Sequence, residues 1–402
     1  MDTSELRAWL RLLRTEGVGS ESARRLLACF GSAPAVFDQP HSALCQVVSA
    51  RQALALSQEP PELPAQLALT LHWLDRSPQH HVWTLGDAAY PAALLDLPDP
   101  PLMLYAEGRI EAGREMPAGV AMVGSRNPTH QGEQTARQMA HALASAGLCV
   151  VSGLALGIDG AAHWGALDAR EAQSEAACVT LAVVGTGLDR VYPRQHQELA
   201  QRIAAQGLLL SEYPLGTPPL AANFPRRNRL IAALGLGTLV VEAALHSGSL
   251  ITAQLALDIG REVFAVPGSI HAPQSHGCHA LIRQGAKLVE KAQDVLEELQ
   301  LPHLDSEQSI LSLSASSRTR SSNGDVPAPP HSRLHTSRVT QASPPSVEQT
   351  TLLDHMGFDP VSLDALLART GHDTATLQAE LLTLELSGHI GRLPGGLFQR
   401  SG

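Results

Sequence analysis

Aromatic residues make up only 3% of this 402-residue chain, and its five cysteines include no CxxC pair. The scatter of Cys29, Cys45, Cys149, Cys178 and Cys278 argues against a disulfide framework or a zinc ribbon and suits a reducing compartment. No apolar run reaches membrane-spanning length, and the opening MDTSELRAWLRLLR carries charges through its apolar positions, unlike a secretory leader. A cytoplasmic protein without membrane contact is expected. Positive charge is scarce too, with 29 Lys+Arg against 39 Asp+Glu and a formal net charge of -10. That balance argues against indiscriminate nucleic-acid binding but leaves room for a focused basic groove. With so few rings, the position of each carries more weight.

At 44% hydrophobic and 17% charged residues, the chain reads as globular, with room for two or three domains. Residues 1–115 read as helical with short loops. Leu6, Leu10 and Leu13 recur at helical spacing before Gly17-Val18-Gly19 breaks the pattern. A GVG turn between helices resembles the hairpin of helix-hairpin-helix modules, but an ordinary helix turn is the favoured reading. Prolines punctuate the connector that follows, and LMLYAEG reads as a short strand leading onward. Over residues 116–301 apolar segments (GVAMVGS, LCVVSG, VTLAVVG, LLLSEYP, TLVVEA, EVFAVPG, AKLVE) alternate with amphipathic helices. Such β-rich runs without polar alternation indicate strands covered on both faces, hence an α/β fold with a parallel, doubly wound sheet. Residues 302–347, rich in Ser, Pro and Thr, read as a flexible linker. Residues 348–402 give three short helices and a Gly-rich hairpin, a winged-helix-like pattern. The third of those helices offers Glu380 and Glu385 but no Lys or Arg, which favours a protein-contact or regulatory role over DNA reading.

The densest chemistry lies between Asn223 and Thr252, NFPRRNRLIAALGLGTLVVEAALHSGSLIT. Phe224 offers a flat face, and Arg226, Arg227 and Arg229 form a positive island. Asn223 is expected to cap, and Pro225 to start, a helix through Leu234. A strand from Thr238 to Glu242 is expected next, then His246-Ser247-Gly248-Ser249 opening another helix. Backbone amides and hydroxyls at such a helix start suit a phosphate. Gly124-Ser125-Arg126 closes the first strand of the sheet: glycine permits close backbone approach and Arg126 can fork onto phosphate oxygens. A tight turn with a surface arginine is the plain reading; beside the Asn223–Thr252 stretch, the phosphate reading prevails.

Other motifs carry less. Asp159 falls in a first helical turn, where a carboxylate suits the helix dipole, and His163 reads as a packed histidine. Gly185-Thr186-Gly187 lacks the third glycine of a dinucleotide fingerprint. His271, His276, Cys278 and His279 sit in a Pro/Gly loop that reads as a cap on the sheet edge before it reads as a zinc site. Nothing has the spacing of a nucleophile elbow, a metal-binding helix or a Walker loop, so no catalytic residue, metal or cofactor is expected.

Taken together, YPAALLDLPDPPLMLYAEG, MVGSRNP, SGLALGIDGAAHWGAL, VVGTGLDRVYPRQH, SEYPLGTPP, NFPRRNRLIA, LVVEAALHSGSLITAQLALDIGREVFAVPGS and LIRQGAKLV resemble, in order, the DNA-processing protein family DprA/Smf. The resemblance covers about half the chain and implies an extended Rossmann-like domain, preceded by a helical domain that looks like a sterile-alpha-motif (SAM-like) module and followed by a winged helix. It also implies a non-enzymatic single-stranded-DNA binder that protects incoming strands in natural transformation, loads the RecA recombinase and forms a homodimer through the sheet domain. Carried over by position, Gly124, Ser125 and Arg126 hold phosphate, Phe224 contacts or stacks on a base, Arg226, Arg227 and Asn228 surround the backbone, and Ser247, Gly248 and Ser249 close the far side. The chain departs from the family pattern at LIAALGLGTL and at His196, which stands where an Asn is customary. The alternative is a nucleotide-processing hydrolase on the same fold, similar to the lysine-decarboxylase-like phosphoribohydrolases. That family places its glutamate after a Gly-rich loop, whereas Glu242 precedes the Ser-Gly-Ser turn.

Overall fold

The computed structural model describes residues 2–108, 116–169, 178–299, 352–353, 355–357, 361–387, 389–393 and 397–400. The chain divides into two compact units, Met1–Leu299 and Gln300–Gly402. The expected linker, 302–347, lies outside the described residues.

The first unit begins with helices α1 (Thr3–Arg14), α2 (Ser20–Phe30), α3 (Ala33–Phe37), α4 (His41–Leu44), α5 (Ala50–Leu56) and α6 (Leu63–Asp75). Their ends follow from local chemistry. Asp2 accepts from the Glu5 amide at 2.8 Å to start α1, whose last turn carries Arg11 and Arg14 against the dipole. Ser49 and Gln52 form a capping box at α5. The face of α1 bearing Leu6, Trp9 and Leu10 is buried.

Nine strands among the described residues then form one sheet in the order β1-β2-β6-β5-β4-β3-β7-β8-β9. They are β1 (His80–Thr84), β2 (Met103–Gly108), β3 (Gly119–Val123), β4 (Cys149–Ser152), β5 (Thr180–Val183), β6 (Leu208–Ser211), β7 (Gly237–Val240), β8 (Glu262–Ala265) and β9 (Lys287–Leu288). From β6 to β9 the pairing is parallel. Helices α7 (His130–Ser145), α8 (Ile158–Ala169), α9 (Gln197–Gln206), α10 (Asn223–Leu234), α11 (Gly248–Asp258), α12 (His276–Arg283) and α13 (Ala292–Glu298) complete the unit. Val120, Met122, Leu239 and Val240 are wholly buried, as the unalternated apolar runs require of strands covered on both faces.

Two features differ from the sequence reading. The sheet is mixed, not purely parallel: β1 and β2, which precede residue 116, add antiparallel strands beyond β6. They satisfy backbone groups that would otherwise form an open sheet edge at β6. Strand β7 also stops at Val240, because a bend at Val241-Glu242 sends the Glu242 carboxylate toward the start of α7.

The feature that positions the site is the reversal of strand order. The chain winds outward from β3 through β4 and β5 to β6, then returns through α10 to lay β7 on the other side of β3. Loops leaving the carboxyl ends of β3 and β7 therefore diverge, and a crevice opens between them. In the second unit, β10 (Val361–Ser362), β12 (Leu397–Arg400) and β11 (Ile390–Leu393) form an antiparallel sheet in the order β10-β12-β11. The helices Leu363–Thr370 and Thr374–Leu386 contribute Leu366, Leu377, Leu381 and Leu384 to a core with Ile390 and Phe398. No described helix of either unit is long and apolar enough to cross a membrane.

Candidate functional site

The crevice between β3 and β7 is an open cleft of about 530 Å³ lined by Gly124, Ser125, Arg126, Arg227, Asn228, Ser247, Gly248 and Ser249. One wall is the turn after β3. The Ser125 amide donates to Glu242 O at 2.7 Å, and its carbonyl accepts from the Ile158 amide at 3.1 Å, which locks the turn between two neighbouring elements. A Cβ at Gly124 would stand 2.7 Å from Ile158 Cγ1 and 2.9 Å from Glu242 O, so the close approach requires glycine. The Ser125 hydroxyl accepts from the Asn127 amide and keeps its own proton to donate, while Arg126 is exposed above it. The opposite wall is the start of α11. Ser247 caps that helix, its Oγ 2.7 Å from Ser249 Oγ, and the positive end of the dipole faces the cleft. A Cβ at Gly248 would meet nothing within 4 Å. Thr252, also lining the cleft, has a buried hydroxyl with no hydrogen-bond partner among the described residues. Glycine, hydroxyls, a helix start and a guanidinium around one space make an anion cradle.

The floor carries a charge that the sequence reading assigned differently. Arg227 was expected around a DNA backbone; it is instead 4% exposed, and its Nη1 donates to the carbonyls of Gly153, at 2.5 Å, and Val183. Its Nε donates to Asn228 Oδ1 at 3.1 Å. It closes the carboxyl ends of β4 and β5 and supports the cleft from below. Burial pushes its pKa down to about 10, opposed by the carboxylate of Asp159. Asp159 accepts from the amides of Gly153 (3.1 Å) and Ala155 (3.3 Å). Burial raises its pKa and the Arg227 charge pulls it back. Asp159 therefore does more than meet a helix dipole: it ties the loop after β4 to α8 beside Arg227.

The remaining members of the island separate. Arg229 pairs with Glu212 and, at 3.2 Å, with Asp99, so its charge is neutralised. Arg226 is exposed and lies outside the cleft lining, with Glu212 and Tyr213 in its field. The Asn223 side chain does not cap α10; it donates to Gly185 O at 3.0 Å, and the N-cap position belongs to Ala222. Phe224 stands at the rim, half-buried, with Arg126 Cζ 5.8 Å from its ring centroid and the Tyr192 ring centroid 5.5 Å away. Tyr192 was not singled out by the sequence reading, although the scarcity of rings was a signal that pointed to it.

Glu242, His163 and the edge-loop histidines each make contacts of their own. Glu242 accepts from the amide and hydroxyl of Thr129 at 2.9 and 2.5 Å. Burial raises its pKa and the Thr129 bonds oppose that. His163 is wholly buried, its Nδ1 2.7 Å from Thr180 Oγ1. In the edge loop, His276 Nε2 meets Ile270 O and His279 Nε2 meets Gly268 O, both at 3.0 Å, while Cys278 is buried against the carbonyls of Val240 and Val241. These side chains do not converge.

Residues 81–300 match the family model for DNA recombination-mediator protein A. The chain belongs to the DprA/Smf family. Residues 336–396 match the DprA winged helix domain, and residues 3–55 a DprA-like N-terminal HHH domain. The last match covers the Gly17–Gly19 turn and favours its helix-hairpin-helix reading over an ordinary helix turn. Among DprA/Smf relatives, Protein Smf of Escherichia coli (strain K12) is 40% identical over 329 residues, 81% of this chain and 79% of that protein. DNA processing protein DprA of Streptococcus pneumoniae is 45% identical over 218 residues, 54% of this chain and 74% of that one. The X-ray structure of DprA from S. pneumoniae superposes with a TM-score of 0.57 at 32% identity, covering 74% of this chain and 98% of that one.

Proposed function

We propose that the cleft between β3 and β7 holds the sugar-phosphate chain of single-stranded DNA, and that the protein acts as a recombination mediator without catalysing a reaction. The observation that carries the reading is the convergence of the Ser125 hydroxyl, the Arg126 guanidinium and the capped start of α11 on one cleft, with Phe224 at its rim. Phosphate enters between Gly124-Ser125-Arg126 and Ser247-Gly248-Ser249; Arg227 and Asn228 form the floor. Arg226 meets the strand outside the cleft. An unpaired base turned outward stacks on Phe224, which contributes about 1–3 kcal/mol irrespective of base identity. A duplex would keep its bases stacked inward, away from that ring. The absence of a catalytic role is supported by the commitment of Glu242 to Thr129 and of His163 to Thr180.

Family membership supports the finer assignments in the same proposal: handing the bound strand to RecA during natural transformation, action in the cytoplasm, and a homodimer through the sheet domain. One cleft per chain is a modest site, and two clefts on a dimer raise the effective concentration of one for the other. Fluorescence anisotropy with a labelled single-stranded oligonucleotide tests the reading. Wild type binds at low salt with affinity falling steeply as salt rises, and Arg126→Ala binds more weakly with a shallower slope. Wild type that ignores the oligonucleotide at low salt contradicts it.

A further inference from the structure

Beyond Phe224 the surface does not close. Tyr192 follows it and is 47% exposed, whereas Tyr90 and Tyr105 are buried and Tyr213 gives its hydroxyl to Asn223 O. Behind Tyr192 lies a second cleft of about 820 Å³, between α6 and the loop from β5 to α9. That volume falls in the range of sites for ligands the size of a nucleotide, about 300–1,000 Å³. Its walls mix apolar side chains, Leu69, Leu188 and Val191, with polar ones, and are backed by Trp73, whose indole stacks on His80 at 4.0 Å and 1°. Arginines stand around it. Arg76 and Arg194 are exposed and have no ion-pair partner among the described residues, while Arg190 is paired with Asp189 at 2.8 Å. The carboxylates in the cleft are already engaged, Asp189 by Arg190 and the Gly216 amide and Glu107 by His80 at 3.7 Å.

We propose that this second cleft continues the DNA path: a strand leaving the phosphate cradle passes Phe224, stacks on Tyr192 and places a following base in the cleft, with its phosphates on Arg194 and Arg76. The inference rests on the single-strand reading of the first cleft. Its own ground is the sequence of spacings from Arg126 to Phe224 (5.8 Å) and from Phe224 to Tyr192 (5.5 Å), ending at a cavity of mixed apolar and polar lining, where Arg76 and Arg194 make no ion pair among the described residues. A slot with apolar side chains for the base and arginines at its edge suits a base followed by its phosphate. Because every base has a flat face, the slot is indifferent to sequence.

Two oligonucleotides separate the subsites, a (dT)3 that fills the cradle and a (dT)12 that runs past it. For Tyr192→Ala and Arg194→Ala, affinity for the short strand is unchanged. Affinity for the long strand falls between about 5- and 150-fold for the tyrosine variant, as loss of one stacked base predicts. The arginine variant shallows the long-strand salt slope by about 0.7. Tyr192→Phe keeps wild-type affinity, which separates loss of the ring from loss of the fold. Iodouracil placed at successive positions of the long strand crosslinks to Tyr192 when it lies on the far side of the nucleotide at Phe224. Equal long-strand affinity of wild type, Tyr192→Ala and Arg194→Ala overturns the proposal, provided that Arg126→Ala still weakens both strands. If Arg126→Ala also binds both like wild type, the cradle itself is misassigned.

Discussion

Replacing Arg227 separates a supporting role from a contacting one. In Arg227→Ala, the carbonyls of Gly153 and Val183 lose a charged donor inside the molecule, and Asp159 loses the guanidinium that offsets its burial. Each buried carbonyl left unpaired costs about 1–3 kcal/mol, and breaking a buried charged network costs about 3–5 kcal/mol in total. The first unit is therefore expected to lose about 3–5 kcal/mol of stability. Lysine at the same position restores the charge without the planar fork and recovers only part of the loss. The four tryptophans, Trp9, Trp73, Trp83 and Trp164, all belong to the first unit, so their fluorescence in a urea titration reports that unit alone. The midpoint moves down while the slope holds. Arg126→Ala, an exposed change, stays within about 0.5 kcal/mol of wild type in the same assay. A wild-type midpoint for Arg227→Ala, with binding lost, refutes the reasoning and makes Arg227 a ligand arm.

Gly248→Ala meets open space at the start of α11, so stability holds or rises by up to about 1 kcal/mol. The added methyl projects from a cleft residue and lowers oligonucleotide affinity; unchanged affinity in titration counts against backbone approach there. Phe224→Ala loses about 1–3 kcal/mol of single-strand affinity with the salt slope unaltered, and a slope that changes with it argues against stacking. His163, whose pKa burial pushes down from about 6.5 to about 3, stays neutral when folded while the unfolded chain takes up a proton. Its contribution is full above pH 6.5 and is lost as pH falls toward 3, by about 1.4 kcal/mol per pH unit. His163→Gln should flatten that part of the stability profile between pH 6.5 and 4, and an unflattened profile assigns acid sensitivity elsewhere.

The sheet was legible because its strands are short apolar runs in regular alternation with helices, and period and spacing suffice for that. That Gly124-Ser125-Arg126 and Ser247-Gly248-Ser249 share one cleft was legible for a related reason: each follows a strand, and strand ends share one rim in a parallel sheet. What stayed hidden depends on partners distant in sequence. Arg226, Arg227 and Arg229 look alike in a row, yet helical rotation exposes the first, buries the second against β4 and β5 and turns the third to Asp99 and Glu212. Asn223 looked like a cap because only its neighbours were in view; its partner is Gly185, 38 positions away. The strands before residue 116 were missed as members of the sheet because pairing with β6 spans roughly a hundred residues and leaves no local trace.

A crystal structure with a short oligothymidylate bound tests the central claim most directly. The account predicts a phosphate between β3 and β7, its oxygens about 3 Å from the Ser125 hydroxyl, the Arg126 guanidinium and the start of α11, with a base against Phe224. A strand bound at another face, with the cleft holding only solvent, contradicts it.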